Sequence, residues 1–246
     1  YYEPFVGGGA LLLELEPKHA VINDSNKELI YIYKCLRNKR LFDKMAEYCK
    51  LHEANHSEEY YYQIRDLDRH PRKFAKETVA FKASRCLYLN KACFNGLYRV
   101  NGKGYFNVPS AQREKVKCFD DENMKQLYDY FHKRRPVILS KDFELAVKTA
   151  KAGDFVYFDP PYDVVGEQSF TSYTKGGFGR DEQTRLRDLI VKLTEKGVLV
   201  MASNANTDFI RDLYKDFNIH VIEAKRMINS KGDGRGAVEE VIITNY

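Results

Sequence analysis

Short apolar runs alternate with longer amphipathic stretches towards both ends of the chain. The apolar runs predict strands at residues 18–23, 136–140, 154–158 and 198–204, and two closing strands at 220–226 and 238–246. The stretch 181–197 has helical spacing, with acidic residues in its first turn and Gly197 just past its end. Strands that alternate with helices are typical of the α/β class, and they predict a doubly wound, mostly parallel sheet.

A different pattern interrupts this alternation in the middle of the chain. Residues 26–88 are rich in Lys, Glu, Tyr and Leu at helical spacing, whereas residues 93–118 combine Gly and Asn with aromatic side chains between basic ones. The second composition predicts a hairpin or loop region. We therefore predict an inserted, mainly helical domain at residues 37–132 that contains a hairpin. The core domain would consist of residues 1–36 and 133–246.

Composition and charge narrow the class of protein only a little. The 246 residues carry a formal charge of +5, a mild basic bias that is compatible with a nucleic-acid partner. The five cysteines lack metal-ligand spacing and are typical of reduced interior thiols, and no apolar run reaches the roughly 20 residues of a membrane span. These features predict a cytoplasmic protein that binds no metal and no membrane. The chain opens inside what reads as a motif, so we expect further residues upstream.

The sequence EPFVGGGAL, residues 3–11, is the first candidate for ligand binding. Gly7, Gly8 and Gly9 open a helix, and the next strand ends at Asp24. In open α/β sheets such glycines let the backbone approach a ligand, and an acid at the tip of the second strand can accept hydrogen bonds from ribose hydroxyls. The pattern fits S-adenosylmethionine or a dinucleotide, although the dinucleotide fingerprint requires a third glycine where Leu12 stands. Glycine triplets also occur in tight turns that bind no ligand.

The sequence FDPPY, residues 158–162, is the second and more specific candidate. A buried strand that ends at Asp159-Pro160-Pro161-Tyr162 places a carboxylate, a stiff backbone and an aromatic ring at one tip. The exocyclic amine of adenine is a poor nucleophile because its lone pair is delocalised into the ring. The Asp159 carboxylate and the Pro160 carbonyl could accept its hydrogens and activate it, while Tyr162 stacks on the base. Such a pocket suits methylation of an amine on a base that has been swung out of the duplex.

These motifs resemble those of the Dam-type N6-adenine DNA methyltransferases, the alpha group of the D12 class, and especially the enzymes of GATC restriction–modification systems. EPFVGGGAL is similar to the family's cofactor loop, INDSNKELI to its ribose-binding segment, YFDPPY to its catalytic motif and FNGLYRVNGKGYFNVP to its target-recognition hairpin. The matches keep the family's order and span almost the whole chain. The resemblance implies a Rossmann-like methyltransferase core with an inserted target-recognition domain. It also implies S-adenosylmethionine as cofactor, S-adenosylhomocysteine as product and double-stranded DNA as partner.

The resemblance assigns roles to individual residues of this chain. The catalytic residues would be Asp159, Pro160, Pro161 and Tyr162. The cofactor would contact Glu3, Phe5, Gly7, Gly8, Gly9, Asp24, Asp142, Phe143 and Asp159. DNA would contact Phe94, Asn95, Leu97, Arg99, Asn101, Asn107 and Pro109. Among these, Phe94 would insert at the target site, Arg99 would read a guanine, and the two asparagines at 101 and 107 would lie beside phosphates. Relatives of this type need no partner for catalysis, so we expect a monomer.

Two segments depart from the family's pattern. A segment like Lys-Trp-x-Gly-Gly-Lys usually precedes the cofactor loop and forms one wall of its pocket, and these residues do not contain it. After Pro109 the chain continues as SAQREKVKC, where relatives commonly have Gly and Arg. The second departure concerns the outer bases of the target, so the resemblance defines a GAT core better than it defines the full site.

Simpler structural roles are alternatives for several of these residues. Asp24 could cap the helix that follows it. Phe94 and Leu97 could be core residues of the smaller domain, and Arg99 could form a surface ion pair. The basic residues 133–135 are typical of a solvated helix end. Residues 170–173 are expected to help enclose the target base.

Other functions are alternatives to adenine methylation in DNA. N4-cytosine methyltransferases usually have Ser where Asp159 stands, and C5-cytosine chemistry needs a Pro-Cys pair that the sequence lacks. An amine methyltransferase that acts on RNA or protein would fit the same motifs, as would a DNA-binding module that has lost catalysis. A nicotinamide dehydrogenase is disfavoured by the absent third glycine.

Overall fold

A seven-stranded sheet forms the centre of the protein, which the computed structural model describes over residues 1–163, 177–225 and 237–246. The strands are β1 (Tyr2–Glu3), β2 (Val21–Asn23), β3 (Val137–Leu139), β4 (Phe155–Phe158), β5 (Leu199–Ala205), β6 (Asn218–Lys225) and β7 (Ala237–Thr244). Their order is β3-β2-β1-β4-β5-β7-β6. The strands from β3 to β5 pair in parallel, and β7 lies antiparallel between β5 and β6. The predicted α/β class with a mostly parallel sheet is confirmed.

Helices join the strands and make up most of the middle of the chain. Those that join strands are α1 (Ala10–Leu15), α2 (Lys27–Leu36), α8 (Phe143–Ala146), α9 (Arg180–Glu195) and α10 (Asp208–Leu213), and those of the middle are α3 (Lys39–Ala54), α4 (Glu58–Asp66), α5 (Pro71–Lys76), α6 (Val79–Ala92) and α7 (Asp121–Arg134). Single 3₁₀ turns lie at Leu67–Arg69 and Phe94–Gly96. Within the described ranges, none of these helices combines the length and apolar character that crossing a membrane requires.

Several helices begin where a polar side chain can accept a hydrogen bond from the first turn. Asn26 caps α2 by accepting from the backbone N–H groups of Glu28 and Leu29. Thr78 caps α6 and Asp120 caps α7 in the same way. Such caps satisfy N–H groups that have no partner inside the helix. The capping role considered for Asp24 is therefore wrong, because Asn26 performs it.

The segment 94–109, hereafter the hairpin, doubles back on itself as its composition predicts. Isolated antiparallel bridges pair Cys93 with Ser110 and Val100 with Phe106. The tip turns at Gly104, whose φ of 84° is a left-handed conformation that glycine adopts without strain. Residues on the two arms of the hairpin are thereby held side by side.

Two buried clusters form the core. The first joins the loop after β1 and helices α1 and α2 to the middle helices and the hairpin, and it includes Leu12, Ile30 and Phe131. The second packs α9 against β4 and β5, and it includes Val156 and Leu186. The first cluster contains residues on both sides of the boundary proposed at 36 and 37, and the division into two domains stays a prediction.

A histidine with no exposed surface lies at the meeting point of three middle helices. His52 of α3 shares hydrogen bonds with the Tyr60 hydroxyl of α4, at 2.8 Å from Nδ1, and with the Ser84 hydroxyl of α6, at 3.2 Å from Nε2. Burial, together with the nearby positive charge of Arg85, lowers the pKa of His52 to about 4. The folded protein therefore favours the neutral form of the His52 imidazole.

The free energy of unfolding should therefore fall on acidification through His52. Its pKa in the folded protein lies below the ordinary value of 6.5, so the unfolded chain binds the proton first as the pH falls from about 6.5 towards 4. Between about pH 7.5 and pH 5 the loss should be about 2 kcal/mol. Urea unfolding of the wild type and of His52→Gln at both pH values isolates this loss as the difference between their pH dependences. Equal pH dependences would contradict the assignment.

Candidate functional site

The carboxyl ends of β1, β2 and β4 meet at one edge of the sheet because these strands are parallel neighbours. Tyr2 of β1 is in register with Val21 of β2 and with Val156 of β4. The segments that follow the three strands carry the glycines, Asp24 and Asp159, respectively. Ligands bind beyond such strand ends in open α/β sheets. The structure thus brings the two candidate motifs together.

The glycine loop, residues 3–9, has a backbone conformation that residues other than glycine would not adopt easily. Gly9 has a φ of 71°, and a Cβ atom there would lie 2.9 Å from the Tyr33 hydroxyl oxygen. The same hydroxyl donates to the Gly7 carbonyl at 2.7 Å. At Gly8 a Cβ atom would meet nothing within 4 Å, so the backbone there is open to a ligand.

Asp24 supports the glycine loop directly. One carboxylate oxygen accepts the Gly7 backbone N–H at 3.1 Å, and the other accepts the Asn26 N–H at 2.8 Å. Burial raises the pKa of Asp24, and these two hydrogen bonds oppose the rise. Each oxygen keeps a lone pair that could accept from a hydroxyl group. A role in binding ribose stays a prediction.

Asn23, which the motif analysis did not single out, ties two loops to the end of β2. Its side chain is 1% exposed. The amide NH₂ donates to the carbonyls of Pro4 and Lys141 at 2.9 and 3.0 Å, and the amide oxygen accepts the Lys141 N–H at 2.8 Å. The loops after β1 and β3 are thus fixed to the end of β2. The sequence signal for this residue is a polar side chain that closes an apolar run.

Asp142 and Phe143 lie at the start of the short helix α8. Asp142 accepts the Glu144 backbone N–H at 3.0 Å as the N-cap, and it also forms an ion pair with Arg185. Phe143 is 5% exposed and packs against Phe5 of the glycine loop, with 5.4 Å between ring centroids. This packing places residues from two of the predicted cofactor segments in contact.

Asp159 is exposed at the tip of β4, and a hydrogen bond orients its carboxylate. The Ser203 hydroxyl donates to one carboxylate oxygen of Asp159 at 2.6 Å. The Tyr157 hydroxyl lies 3.2 Å from the same serine oxygen. Tyr162 donates to the Glu240 carboxylate at 3.4 Å, and burial raises the pKa of Tyr162. Ser203 belongs to β5 and was not predicted from the sequence as a site residue.

Buried amides hold the end of the motif at Pro161 and the residue Asp163 that follows it. The Gln183 side chain of α9 donates to the Pro161 carbonyl at 2.8 Å and accepts from the Asn204 amide at 3.0 Å. Asn204 in turn accepts the Asp163 backbone N–H at 2.9 Å. Gln183 and Asn204 are each 1% exposed, so their hydrogen bonds define one geometry of the loop. Both residues were missed because their partners are distant along the chain.

Glu3 is a buried carboxyl next to Asp159. It is 2% exposed and accepts a hydrogen bond from the Tyr1 hydroxyl at 2.7 Å. The pKa of Glu3 is raised to about 7 overall: burial is the largest cause, the Tyr1 hydrogen bond opposes the rise, and the negative charge of Asp159 adds to it. This edge of the sheet therefore carries carboxyl groups that a neighbouring positive charge would stabilise in their ionised form.

The hairpin presents several of the predicted DNA-binding residues at the surface. Phe94 is 48% exposed, so the alternative of a core position is wrong for Phe94. Leu97 is half-buried and packs against the first core cluster. Arg99 is exposed and donates to the Asn107 side-chain oxygen at 2.8 Å. Among residues 1–163, 177–225 and 237–246, this hydrogen bond to a neutral amide stands in place of the ion pair considered for Arg99.

The remaining hairpin residues shape the backbone. The Asn101 side chain accepts the backbone N–H groups of Lys103 and Tyr105 at 3.0 and 3.1 Å. Asn95 has a left-handed φ of 53°, and the Pro109 carbonyl accepts the Phe94 N–H at 2.9 Å. The roles predicted for these residues in DNA binding stay predictions.

Other sequence predictions fall outside this edge of the sheet. The basic residues 133–135 lie at the end of α7, as expected for a helix terminus. The segment 170–173 lies outside the described residues. Among residues 1–163, 177–225 and 237–246, no group of three or more His, Cys, Asp or Glu side chains is arranged to hold a metal ion.

Comparison with known proteins gives consistent similarities along the chain. Residues 1–228 match the family of D12 class N6 adenine-specific DNA methyltransferases. A type II methyltransferase of Lactococcus lactis subsp. cremoris is 46% identical over 247 positions, which cover 100% of this chain and 86% of that protein. A type II methyltransferase of Methanocaldococcus jannaschii is 42% identical, with 100% and 88% covered. A DNA adenine methylase of Vibrio cholerae is 31% identical, with 98% and 84% covered.

The pKa of Glu3 should respond in opposite directions to two substitutions at this site. Tyr1→Phe removes a hydrogen bond to the carboxylate and should raise the pKa above about 7, whereas Asp159→Asn removes a negative charge and should lower it. Carbon-13 NMR of glutamate side chains, followed as a function of pH, measures both shifts. Shifts of the same sign in the two variants would refute the assignment.

Proposed function

The chain belongs to the family of D12 class N6 adenine-specific DNA methyltransferases, and on this premise we propose that it methylates adenine within GATC after flipping the base out of duplex DNA. S-adenosylmethionine would be the methyl donor. The observation that carries the proposal is the meeting of the glycine loop, Asp24 and Asp159 at one edge of the sheet. A methyl donor bound at the glycine loop and Asp24 would present its methyl group to a base bound at Asp159.

The residues at this edge fit S-adenosylmethionine by their chemistry. The open backbone at Gly8 permits close approach, and Asp24 offers oxygen acceptors for ribose hydroxyls. Phe143 would contact the adenine ring of the cofactor, and Phe5, which packs against Phe143, would line the methionine end. Glu3 offers a carboxyl group to the positively charged methionine end. The bound cofactor supplies an electrophilic methyl group on a sulfonium ion, and the protein supplies the orientation.

At Asp159 the protein activates the amine of the target adenine. The other carboxylate oxygen of Asp159 would accept one N6 hydrogen, and the Pro160 carbonyl would accept the other. These acceptors favour a pyramidal nitrogen whose lone pair points away from the ring, towards the methyl group. Tyr162 stacks on the base. The methyl group would pass from the sulfonium, which would leave as the neutral thioether S-adenosylhomocysteine, to N6, and the hydrogen bond to Asp159 would provide a path for the proton that the amine then loses.

The hairpin would read the DNA sequence beside the target. Arginine forms two hydrogen bonds with the O6 and N7 atoms of guanine, and Arg99 is exposed on the hairpin. Its bond to Asn107 holds the guanidinium in place before DNA arrives. Phe94, which is 48% exposed, could enter the space left by the flipped adenine. Asn101, Asn107, Asn95, Leu97 and Pro109 would complete the contacts, and the protein would act in the cytoplasm as a monomer.

A methyl-transfer assay tests the proposed function. The protein, with any upstream residues restored, is given S-adenosylmethionine with a labelled methyl group and one of two duplexes, identical except that GATC is scrambled in one. Labelled N6-methyladenine is expected from the GATC duplex alone. Asp159→Ala should abolish transfer and retain DNA binding, and Ser203→Ala, which removes the orienting hydrogen bond and keeps the Asp159 carboxylate, should lower kcat by about tenfold.

Each other outcome of this assay has a defined meaning. Label in both duplexes would reject GATC as the target. Label in RNA or protein, and none in DNA, would replace the proposal with another amine methyltransferase. DNA binding without transfer to any substrate would identify a binding module. Normal turnover by Asp159→Ala would remove Asp159 from catalysis.

Arg99→Ala should relax the sequence preference at one guanine. Loss of a bidentate contact should reduce discrimination at that base pair by about 1–3 kcal/mol. The measurement is kcat/KM on duplexes that vary one base pair at a time. Lys103→Ala is the matched control, because Lys103 is an exposed cation near the tip of the same hairpin and should affect all duplexes equally. An unchanged preference in Arg99→Ala would exclude Arg99 as the reader of guanine.

A further inference from the structure

Arg85 of α6 is an arginine with no exposed surface, and each of its three side-chain nitrogens has a partner. Nη1 donates to both carboxylate oxygens of Glu28, at 2.9 and 2.8 Å. Nη2 lies 3.0 Å from a carboxylate oxygen of Asp68 and donates to the Arg65 carbonyl at 2.7 Å. Nε donates to the Ile64 carbonyl at 2.9 Å. A buried guanidinium with partners at all three nitrogens restricts where those partners can lie.

One carboxylate partner of Arg85 belongs to the support of the glycine loop. Glu28 lies in the first turn of α2, and its backbone N–H donates to the Asn26 cap at 3.0 Å. The Asn26 N–H donates to Asp24, which accepts from Gly7. The ion pair with Glu28 is therefore connected to the glycine loop through successive hydrogen bonds.

The other carboxylate partner of Arg85 holds the hairpin. Asp68 accepts the backbone N–H of Phe106 at 2.8 Å. Arg69 donates to the Phe106 carbonyl at 3.0 Å and to Asp68 at 2.5 Å. Both polar backbone groups of Phe106 are thus fixed by this pair, and Phe106 precedes Asn107, the residue that holds Arg99. The position of Arg99 depends on this anchor.

Tyr98 makes a second, more direct connection between the support of the glycine loop and the hairpin. Burial and the negative charge of Glu28 raise the pKa of the Tyr98 hydroxyl, and a hydrogen bond with the side chain of Asn26, the cap of α2, opposes the rise. Its ring packs edge-on against Phe106 at 5.6 Å between centroids. Tyr98 is next to Arg99 in the sequence, so this contact also bears on the position of the guanidinium that would read guanine.

Stability alone is a poor explanation for this buried network. Charges lose hydration on burial, and apolar residues of similar volume often replace a buried ion pair without loss of stability. The network does define the distance between the glycine loop and the hairpin. We propose that Arg85, assisted by Tyr98, is a positioning residue that holds the hairpin at a fixed place relative to the cofactor site, so that discrimination among DNA sequences depends on it.

The inference rests on the proposed function and adds a consequence to it. Methyl transfer requires that the adenine reaches Asp159 while Arg99 contacts its guanine, so both elements must keep one spacing. A shift of the hairpin would weaken the guanine contact and leave the cofactor site in place. Discrimination between DNA sequences should therefore fall more than the affinity for the cofactor. It should also fall more than the turnover rate on a duplex that lacks the preferred sequence.

The test is the ratio of kcat/KM for the preferred duplex to kcat/KM for a duplex with one base pair changed beside the adenine. Arg85→Lys keeps the charge and loses the fork of donors, and Tyr98→Phe removes a single hydroxyl group. The ratio is expected to fall by about tenfold in Arg85→Lys and by a smaller factor in Tyr98→Phe. The Kd of S-adenosylhomocysteine, measured by calorimetry, should stay within about twofold of wild type.

Arg37→Lys is the matched control. Arg37 lies at the other end of α2 and donates a hydrogen bond to the Pro136 carbonyl at 3.0 Å, which is not part of the hairpin. Its ratio should equal that of the wild type. An unchanged ratio in both Arg85→Lys and Tyr98→Phe would overturn the inference, as would an equal loss on both duplexes. If Arg85→Lys does not fold, Tyr98→Phe decides alone. A wild type that methylates no DNA would overturn the proposed function and this inference with it.

Discussion

The parallel pairing of β1 with β2 on one side and β4 on the other is the constraint on which the candidate site depends. β1 has only two residues, Tyr2–Glu3, and Tyr2 is in register with a residue of each neighbour. Because parallel neighbours end at the same edge, the strand pairing alone brings together the glycine loop, Asp24 and the Asp-Pro-Pro-Tyr motif. Every proposed step of methyl transfer uses this edge.

Buried polar side chains fix the loops at that edge and at the hairpin. Asn23 joins the loops after β1 and β3, Gln183 and Asn204 support Pro161, and Arg85 connects Glu28 with Asp68. A buried polar group without partners would destabilise the fold, and one with all its partners restricts its neighbours to a single geometry. Preorganised acceptors and donors of this kind are what a reaction that depends on orientation requires.

Electrostatics at the site favour a positively charged ligand. Burial raises the pKa of both Glu3 and Asp24, and the Asp159 charge raises the pKa of Glu3 further. A cation at this edge would relieve the repulsion between the carboxylates and stabilise their ionised forms. The sulfonium group of the proposed methyl donor has that charge. The hairpin instead offers the positive charges of Arg99 and Lys103. Arginine can bind the edge of a guanine, and a positive charge such as that of Lys103 attracts the DNA phosphates.

The sequence by itself determined the α/β class, the positions of most strands and helices, and the two motifs of the site. Each of these depends on neighbours in the chain, since apolar periodicity, glycine turns and the Asp-Pro-Pro-Tyr segment are local features. Tertiary structure decided that Asn26 rather than Asp24 caps α2, that Phe94 is exposed, and that Ser203 orients Asp159. It also decided the partners of Arg85, which lie 57 residues away at Glu28 and 17 away at Asp68. Such pairs leave no periodic pattern in a single sequence, because only the folded backbone brings their side chains within hydrogen-bonding distance.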